Sequence, residues 1–196
     1  MTTLVGIAGS LRRHSYNRGL LKAAAESVPP GVRLEIASID EIPLYNADLE
    51  EADGIPQVVS RIKDAIAAAD GLLLVTPEYN NGIPGVFKNV IDWLSRPPAD
   101  IPRVFRSKPV ALIGASPGGF GTVLAQNSWL SVLHTLGTRP WFEGRLLVSR
   151  AGAMFDSEGN LTDKDTRERL SGFLDGFATF VRADATGRSD GEDIGS

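Results

Sequence analysis

Glu78, Tyr79, Asn80 and Asn81 stand together between Pro77 and Pro84, where an apolar run breaks into a turn. The run Leu72-Leu73-Leu74-Val75 is short and non-alternating, as a strand covered on both faces is. Pro77, Gly82, Pro84 and Gly85 then exclude regular structure. A turn that only reverses the chain needs neither a tyrosine nor two amides, so this segment is read as a site. Amides and backbone N–H groups can match the edge of a flat heteroaromatic ring while an aromatic covers its face. Glu78 is open to two readings, a general base or a solvated turn carboxylate, and the second is the commoner outcome.

A second cluster lies at Gly9-Ser10-Leu11-Arg12-Arg13-His14-Ser15-Tyr16-Asn17. Phosphate binding asks for close backbone approach, hydroxyl donors, a cation and a helix N-terminus. Gly9, Ser10, Arg12, Ser15 and Asn17 supply these within one loop. The plainer alternative is that Ser15 or Asn17 only caps the following helix. The loop has neither a Walker pattern nor Gly-x-Gly-x-x-Gly, so a monophosphate fits it better than a triphosphate or a dinucleotide.

The third cluster, Gly114-Ala115-Ser116-Pro117-Gly118-Gly119-Phe120-Gly121, matches the Gly-x-Ser-x-Gly elbow of serine hydrolases. Two facts oppose that chemistry. The elbow's oxyanion hole uses the N–H of the residue after the serine, and Pro117 has none. No carboxylate lies between Ser116 and His134, the only later histidine, so the triad order fails. Gly118 and Gly119 instead suit a backbone that a flat ligand approaches closely.

The composition narrows the chemistry further. Of 196 residues 42% are hydrophobic, enough for a globular domain with a sizeable core and no membrane-length run. The absence of cysteine removes disulfides, thiolate metal sites and thiol catalysis. His14 and His134 have no paired spacing, so no dedicated zinc site is expected. A net charge of −4 argues against a nucleic-acid surface. The N-terminus enters a strand without a charged leader, which makes the cytoplasm the default location.

The elements that must position these clusters follow from periodicity. Strands are expected at Thr3–Ala8, Val32–Ala37, Leu72–Thr76, Val110–Ala115 and Leu146–Ser149, with helices at Asn17–Val28, Pro56–Ala69, Pro84–Ser95, Gly121–Leu136 and Thr162–Val181. Glu41–Ile55 reads as a long irregular connection. One domain over residues 1–183 is expected, with a disordered tail over 184–196. Alternating strands and helices predict the α/β class, a flavodoxin-like three-layer sandwich whose five-stranded parallel sheet has the order 2-1-3-4-5. That order brings the three clusters to one crevice at the carboxyl edge. A phosphate seat beside a ring-edge surface on this fold suits FMN.

Gly9-Ser10-Leu11-Arg12 with Ser15-Tyr16-Asn17, Thr76 through Gly85 with Lys88-Asn89 and Asp92 through Pro97, and Ser116 through Gly121 together resemble the NADPH-dependent FMN reductase family. Its members include quinone, chromate and azo-dye reductases. The likeness spans Leu4 to Arg182, and no motif position departs from the pattern. It implies that Ser10, Arg12, Ser15 and Asn17 contact the phosphate of a bound FMN. It implies that Pro77, Glu78, Tyr79, Asn80 and Gly82 flank the ribityl chain and ring, with Ser116, Gly118 and Gly119 closing the far side. It also implies a homodimer or homotetramer, with the helix carrying Lys88, Asp92 and Trp93 near the subunit contact, although Trp93 suits a core position equally well.

The expected activity is transfer of two electrons from NADPH or NADH to a small-molecule acceptor in a ping-pong cycle. Bound flavin carries the chemistry, so no catalytic acid–base pair is required. The alternatives are a flavodoxin-like electron carrier and a flavin-binding redox sensor.

Overall fold

The structure is a computed structural model; it describes residues 1–192, with side chains as far as Asp184. Strand β1 (Thr2–Ala8) leads to helix α1 (Tyr16–Glu26) and strand β2 (Val32–Ala37). Helices α2 (Ala47–Asp53) and α3 (Gln57–Ala68) then precede β3 (Gly71–Val75) and α4 (Gly85–Leu94). A short α5 (Ile101–Val104), β4 (Pro109–Ala115) and α6 (Val123–Thr135) follow, then β5 (Arg139–Pro140), β6 (Leu146–Val148) and α7 (Lys164–Glu192). The strands run in the order β2-β1-β3-β4-β5, all parallel, and β6 also pairs with β4. This is the flavodoxin-like order expected from the sequence.

Successive side chains of a strand face opposite ways, so β3 feeds two cores. Leu72 and Leu74 pack with Ile66, Phe87, Trp93 and Trp129 under α3, α4 and α6. Leu73 and Val75 pack with Leu20, Leu21, Phe173 and Phe177 under α1 and α7. A strand buried on both faces has no polar alternation, which is the pattern its sequence displays.

Beyond shifts of one or two residues at element ends, four departures from expectation have a physical reason. The fifth strand position is filled by two short segments, because the chain leaves the sheet after Trp141, whose N–H still reaches the Val110 carbonyl, and returns to β4 at Leu146. The connection after β2 contains α2, started by the Asn46 side chain accepting the Asp48 N–H at 2.9 Å. Helix α6 begins at Val123, because Gly121 sits at a φ of 64° outside the helix. Helix α7 continues beyond Asp184 to Glu192, so the expected tail falls partly within it. Asp184 is itself buried and ion-paired to Arg139, which ties that turn of the helix to β5. The last tail residues, 193–196, lie outside the described residues.

The segment after β2 is strapped to α4. Asn89 donates to the Pro43 carbonyl at 2.8 Å and accepts the Tyr45 N–H at 2.8 Å. Trp93 is fully buried, donates its indole N–H to the same Pro43 carbonyl at 2.9 Å, and meets the Tyr45 ring edge-on. Trp93 therefore holds a core position. No helix among the described residues is long and apolar enough to cross a membrane.

Candidate cofactor crevice

The parallel order places the ends of β1, β3 and β4 side by side, and the three sequence clusters follow those ends. In the first loop the Ser15 hydroxyl oxygen accepts the N–H groups of Asn17 and Arg18 at 3.2 and 3.4 Å, capping α1. Asn17 reaches across to the sheet. Its amide donates to the Ala115 carbonyl at 2.8 Å and its oxygen accepts the Ala115 N–H at 2.9 Å. The side chain of Asn17 is thus a buried brace between the first loop and the third, with its oxygen and one amide hydrogen committed to Ala115.

What remains open in the first loop is cationic and rich in donors. Arg12 is exposed, with its guanidinium bonded to the His14 carbonyl and lying 5.0 Å from the Tyr16 ring centroid. Ser10 is buried and accepts the Arg12 N–H at 3.4 Å. Among the described residues the N–H groups of Arg13, His14 and Tyr16 have no protein acceptor. Ser10 and Ser15 border a cavity of about 350 Å³ on the β2 side of the loop. Arg18 lines the same cavity and pairs with both oxygens of Asp40 at 2.9 and 3.2 Å. The Ser38 hydroxyl and that guanidinium hold the Asp40 carboxyl below its usual range.

The second loop reveals what its two amides do. Asn80 and Asn81 have φ values of 49° and 62°, and Tyr79 and Gly82 exchange both backbone hydrogen bonds, at 3.2 and 3.0 Å. This is a two-residue type I′ turn, whose left-handed positions favour asparagine. The amides therefore have a conformational reason to be there, contrary to the argument that a reversing turn needs none. Tyr79 is half exposed at the start of this turn, while Pro77 is buried beneath it.

Glu78 has a structural role in the protein. Its Oε2 accepts the N–H groups of Leu124 and Ala125 at 2.8 and 2.9 Å, in the first turn of α6. Thr122, at the capping position, makes no side-chain cap bond, so Glu78 supplies the cap from another loop. A negative charge there also suits the positive end of the helix dipole.

The third loop closes on itself through Ser116, whose hydroxyl donates to the Gly121 carbonyl at 2.6 Å. That hydroxyl has no histidine partner, which agrees with setting the hydrolase reading aside. Gly114 allows the second and third loops to touch: a Cβ there would lie 2.2 Å from the Thr76 carbonyl oxygen and 2.2 Å from Thr122 Oγ1. Gly118 and Gly119 differ. A Cβ at Gly119 would meet nothing within 4 Å, and one at Gly118 only Ser116 Oγ at 3.6 Å. Both are exposed, leaving a bare backbone wall facing open space.

Sequence reasoning missed a fourth contributor, the segment after β6. Ala151 donates its N–H to the Ser116 carbonyl at 3.0 Å, and Arg150 donates its N–H to the Gly118 carbonyl at 2.9 Å. The signal was available in the strand order, since a fifth strand ends beside β4.

Together the loops form a crevice with free N–H groups and a guanidinium at one end and a bare glycine wall with a half-exposed tyrosine at the other. A flat ring carrying a phosphorylated side chain matches both ends, so the residues present fit FMN. The chain is 44% identical over 179 residues to an NAD(P)H-dependent FMN reductase of Pseudomonas aeruginosa, covering 91% of this chain and 95% of that protein. It is 39% identical over 176 residues to a 2-hydroxy-1,4-benzoquinone reductase of a Burkholderia species, covering 90% and 94%. Among solved structures it is similar to FerB, a flavoenzyme NAD(P)H:(acceptor) oxidoreductase from Paracoccus denitrificans, with a TM-score of 0.82 at 34% identity, covering 94% and 99%. Residues 2–153 match the model of the NADPH-dependent FMN reductases, and the chain belongs to that family.

Proposed function

We propose that this protein holds FMN in the crevice and passes two electrons from NADPH or NADH to a quinone or similar acceptor, such as an azo compound, chromate or free flavin, in a ping-pong cycle. Bound FMN supplies the two-electron redox chemistry. Relatives in Burkholderia, Pseudomonas putida and Escherichia coli are quinone reductases. The observation that carries the reading is the hydrogen bonding that joins the loops at the ends of β1, β3 and β4. Asn17 ties the first loop to Ala115, Glu78 ties the second to α6, and Ala151 ties the segment after β6 to Ser116.

In this reading Arg12, Ser10 and the unpaired N–H groups at the start of α1 bind the phosphate as charge-assisted donors. Ser15 and Asn17 fix the helix start on which those donors sit, and the Ser15 hydroxyl and the second Asn17 amide hydrogen add donors of their own. Pro77, Glu78, Tyr79, Asn80 and Gly82 shape the ring's edge, with Glu78 and Asn80 acting through the backbone they hold. Ser116 keeps the third loop closed so that Gly118 and Gly119 offer the ring a flat wall. A pre-set crevice lowers the ordering cost of binding. We also propose a homodimer or homotetramer acting in the cytoplasm, with the half-buried Lys88–Asp92 pair on α4 near the subunit contact.

An absorbance spectrum of the purified protein, before and after anaerobic NADPH, tests the reading. Flavin bands that bleach on addition are expected. Bands that persist with both NADPH and NADH point to a carrier or sensor, and a protein that takes up no added FMN removes the cofactor assignment.

A further inference from the structure

Arg150 is held in an unfavourable backbone conformation at the edge of the crevice. Its φ of 50° and ψ of 42° lie in the left-handed region, where a Cβ crowds the backbone. The conformation is fixed by the Arg150 N–H bond to Gly118 and the following Ala151 N–H bond to Ser116. Glycine would satisfy the same bonds with less steric cost, so the backbone alone does not explain an arginine here. Backbone strain of this kind collects at ligand sites. The side chain is exposed, and among the described residues its guanidinium has no hydrogen bond, ion pair or ring contact.

Its neighbours show what it can reach. The Arg150 backbone is one hydrogen bond from the bare Gly118–Gly119 wall, so a long side chain there can meet whatever rests on that wall. On the other side, a Cβ built on Gly152 would lie 3.7 Å from the Tyr16 hydroxyl, and the Tyr16 ring in turn carries Arg12. The first loop already has its own guanidinium and unpaired N–H groups for the flavin phosphate. Arg150 is a separate cation, placed by a different strand. The chain as a whole carries a net charge of −4, so a multiply phosphorylated cosubstrate needs a local positive point to approach and hold.

We propose that Arg150 anchors a phosphate group of the nicotinamide dinucleotide through bidentate guanidinium–phosphate bonds; this rests on the crevice being the FMN site. The pyrophosphate and the 2′-phosphate share that chemistry. A dinucleotide held there has its nicotinamide free to lie over the ring, while Arg12 stays with the flavin phosphate.

Calorimetric titration of the flavin-loaded protein with NADP⁺ and with NAD⁺ tests this, comparing wild type, Arg150→Gly and Arg150→Lys. Glycine suits the left-handed position, so the glycine variant is expected to keep its melting temperature and its FMN occupancy. Its Kd for NADP⁺ should rise about tenfold or more, the worth of one charge-assisted contact. Arg150→Lys should recover part of the loss, and in turnover the loss should fall on the KM for NADPH rather than on kcat. An equal rise for NAD⁺ assigns the pyrophosphate, and a rise for NADP⁺ alone assigns the 2′-phosphate; both support the anchor. Kd values within twofold of wild type for both ligands overturn it, as does wild-type protein that binds neither. Loss of FMN in proportion to the loss of NADP⁺ also overturns it, because Arg150 would then serve the flavin. Failure of the FMN reading shows separately, as wild-type protein that takes up no flavin.

Discussion

Asn17 and Ala115 are 98 positions apart and exchange two hydrogen bonds, with the Asn17 amide satisfying both the N–H and the carbonyl of Ala115. This pair joins the start of α1 to the end of β4 and sets the spacing of two crevice loops. Replacing Asn17 with Ala leaves two buried backbone groups without partners, each costing about 1–3 kcal/mol. Urea unfolding should show a loss of about 2 kcal/mol or more, and Asn17→Asp should also destabilise because a carboxylate cannot donate to the carbonyl. If Asn17→Ala unfolds at the wild-type midpoint, the brace is not a structural one.

Arg12 is exposed and its bonds are local to the first loop. Arg12→Ala should therefore leave the unfolding midpoint nearly unchanged while weakening FMN binding about tenfold or more, as loss of a charge-assisted contact does. Flavin fluorescence titration reads the Kd directly. Full flavin occupancy after dialysis of the variant would place the phosphate elsewhere.

Gly114 and Gly119 separate folding from ligand fit. Gly114→Ala forces a methyl against the Thr76 carbonyl and Thr122 Oγ1, and should cost about 1–3 kcal/mol of stability through overpacking. Gly119→Ala meets no protein atom within 4 Å, so its melting temperature should hold while FMN affinity falls. Unchanged FMN affinity in Gly119→Ala would mean that no ring rests on this wall.

Acid should destabilise the protein through carboxylates remote from the crevice. The Arg96 hydrogen bond, with help from the Tyr45 hydroxyl, holds the Glu50 carboxyl below its usual range. Lys63, buried in α3, does the same for Asp100. The unfolded chain then binds more protons than the folded one as pH falls below about 4, the ordinary carboxylate range. The stabilisation is present above that range and is lost as pH falls through the lower folded values. Urea midpoints measured from pH 6 to pH 3 should drop, and Glu50→Gln should flatten the drop. An identical pH dependence in Glu50→Gln would remove this pair from the explanation.

The sheet was legible because its determinants are local. Leu72 to Val75 announces a two-sided strand, Pro29-Pro30-Gly31 stops α1, and strand alternation leaves few topologies. The crevice was legible as three clusters but not in its roles. Nothing in the sequence says that Glu78 will cap a helix 46 positions away, or that Asn17 will spend its amide on Ala115. Those assignments depend on tertiary proximity. The Asn80–Asn81 turn is different: an Asn-Asn-Gly run is a local signal for left-handed turn positions, so its conformation is legible in the sequence alongside the ligand chemistry its amides offer. Arg150 went unmarked because it follows a strand of only three residues, Leu146–Val148.

The stitches of the crevice join the first loop to residues made much later, Asn17 to Ala115, and that end of β4 in turn to the segment after β6, Ser116 to Ala151. During synthesis the first loop emerges long before its partners, so a complete binding site exists only after the segment following β6 has been made and docked. Contacts of such long sequence separation form late in folding. A ligand that binds only the finished crevice draws the folding equilibrium toward it by mass action. FMN bound in the finished crevice would then add to the stability of the folded chain as well as to its activity.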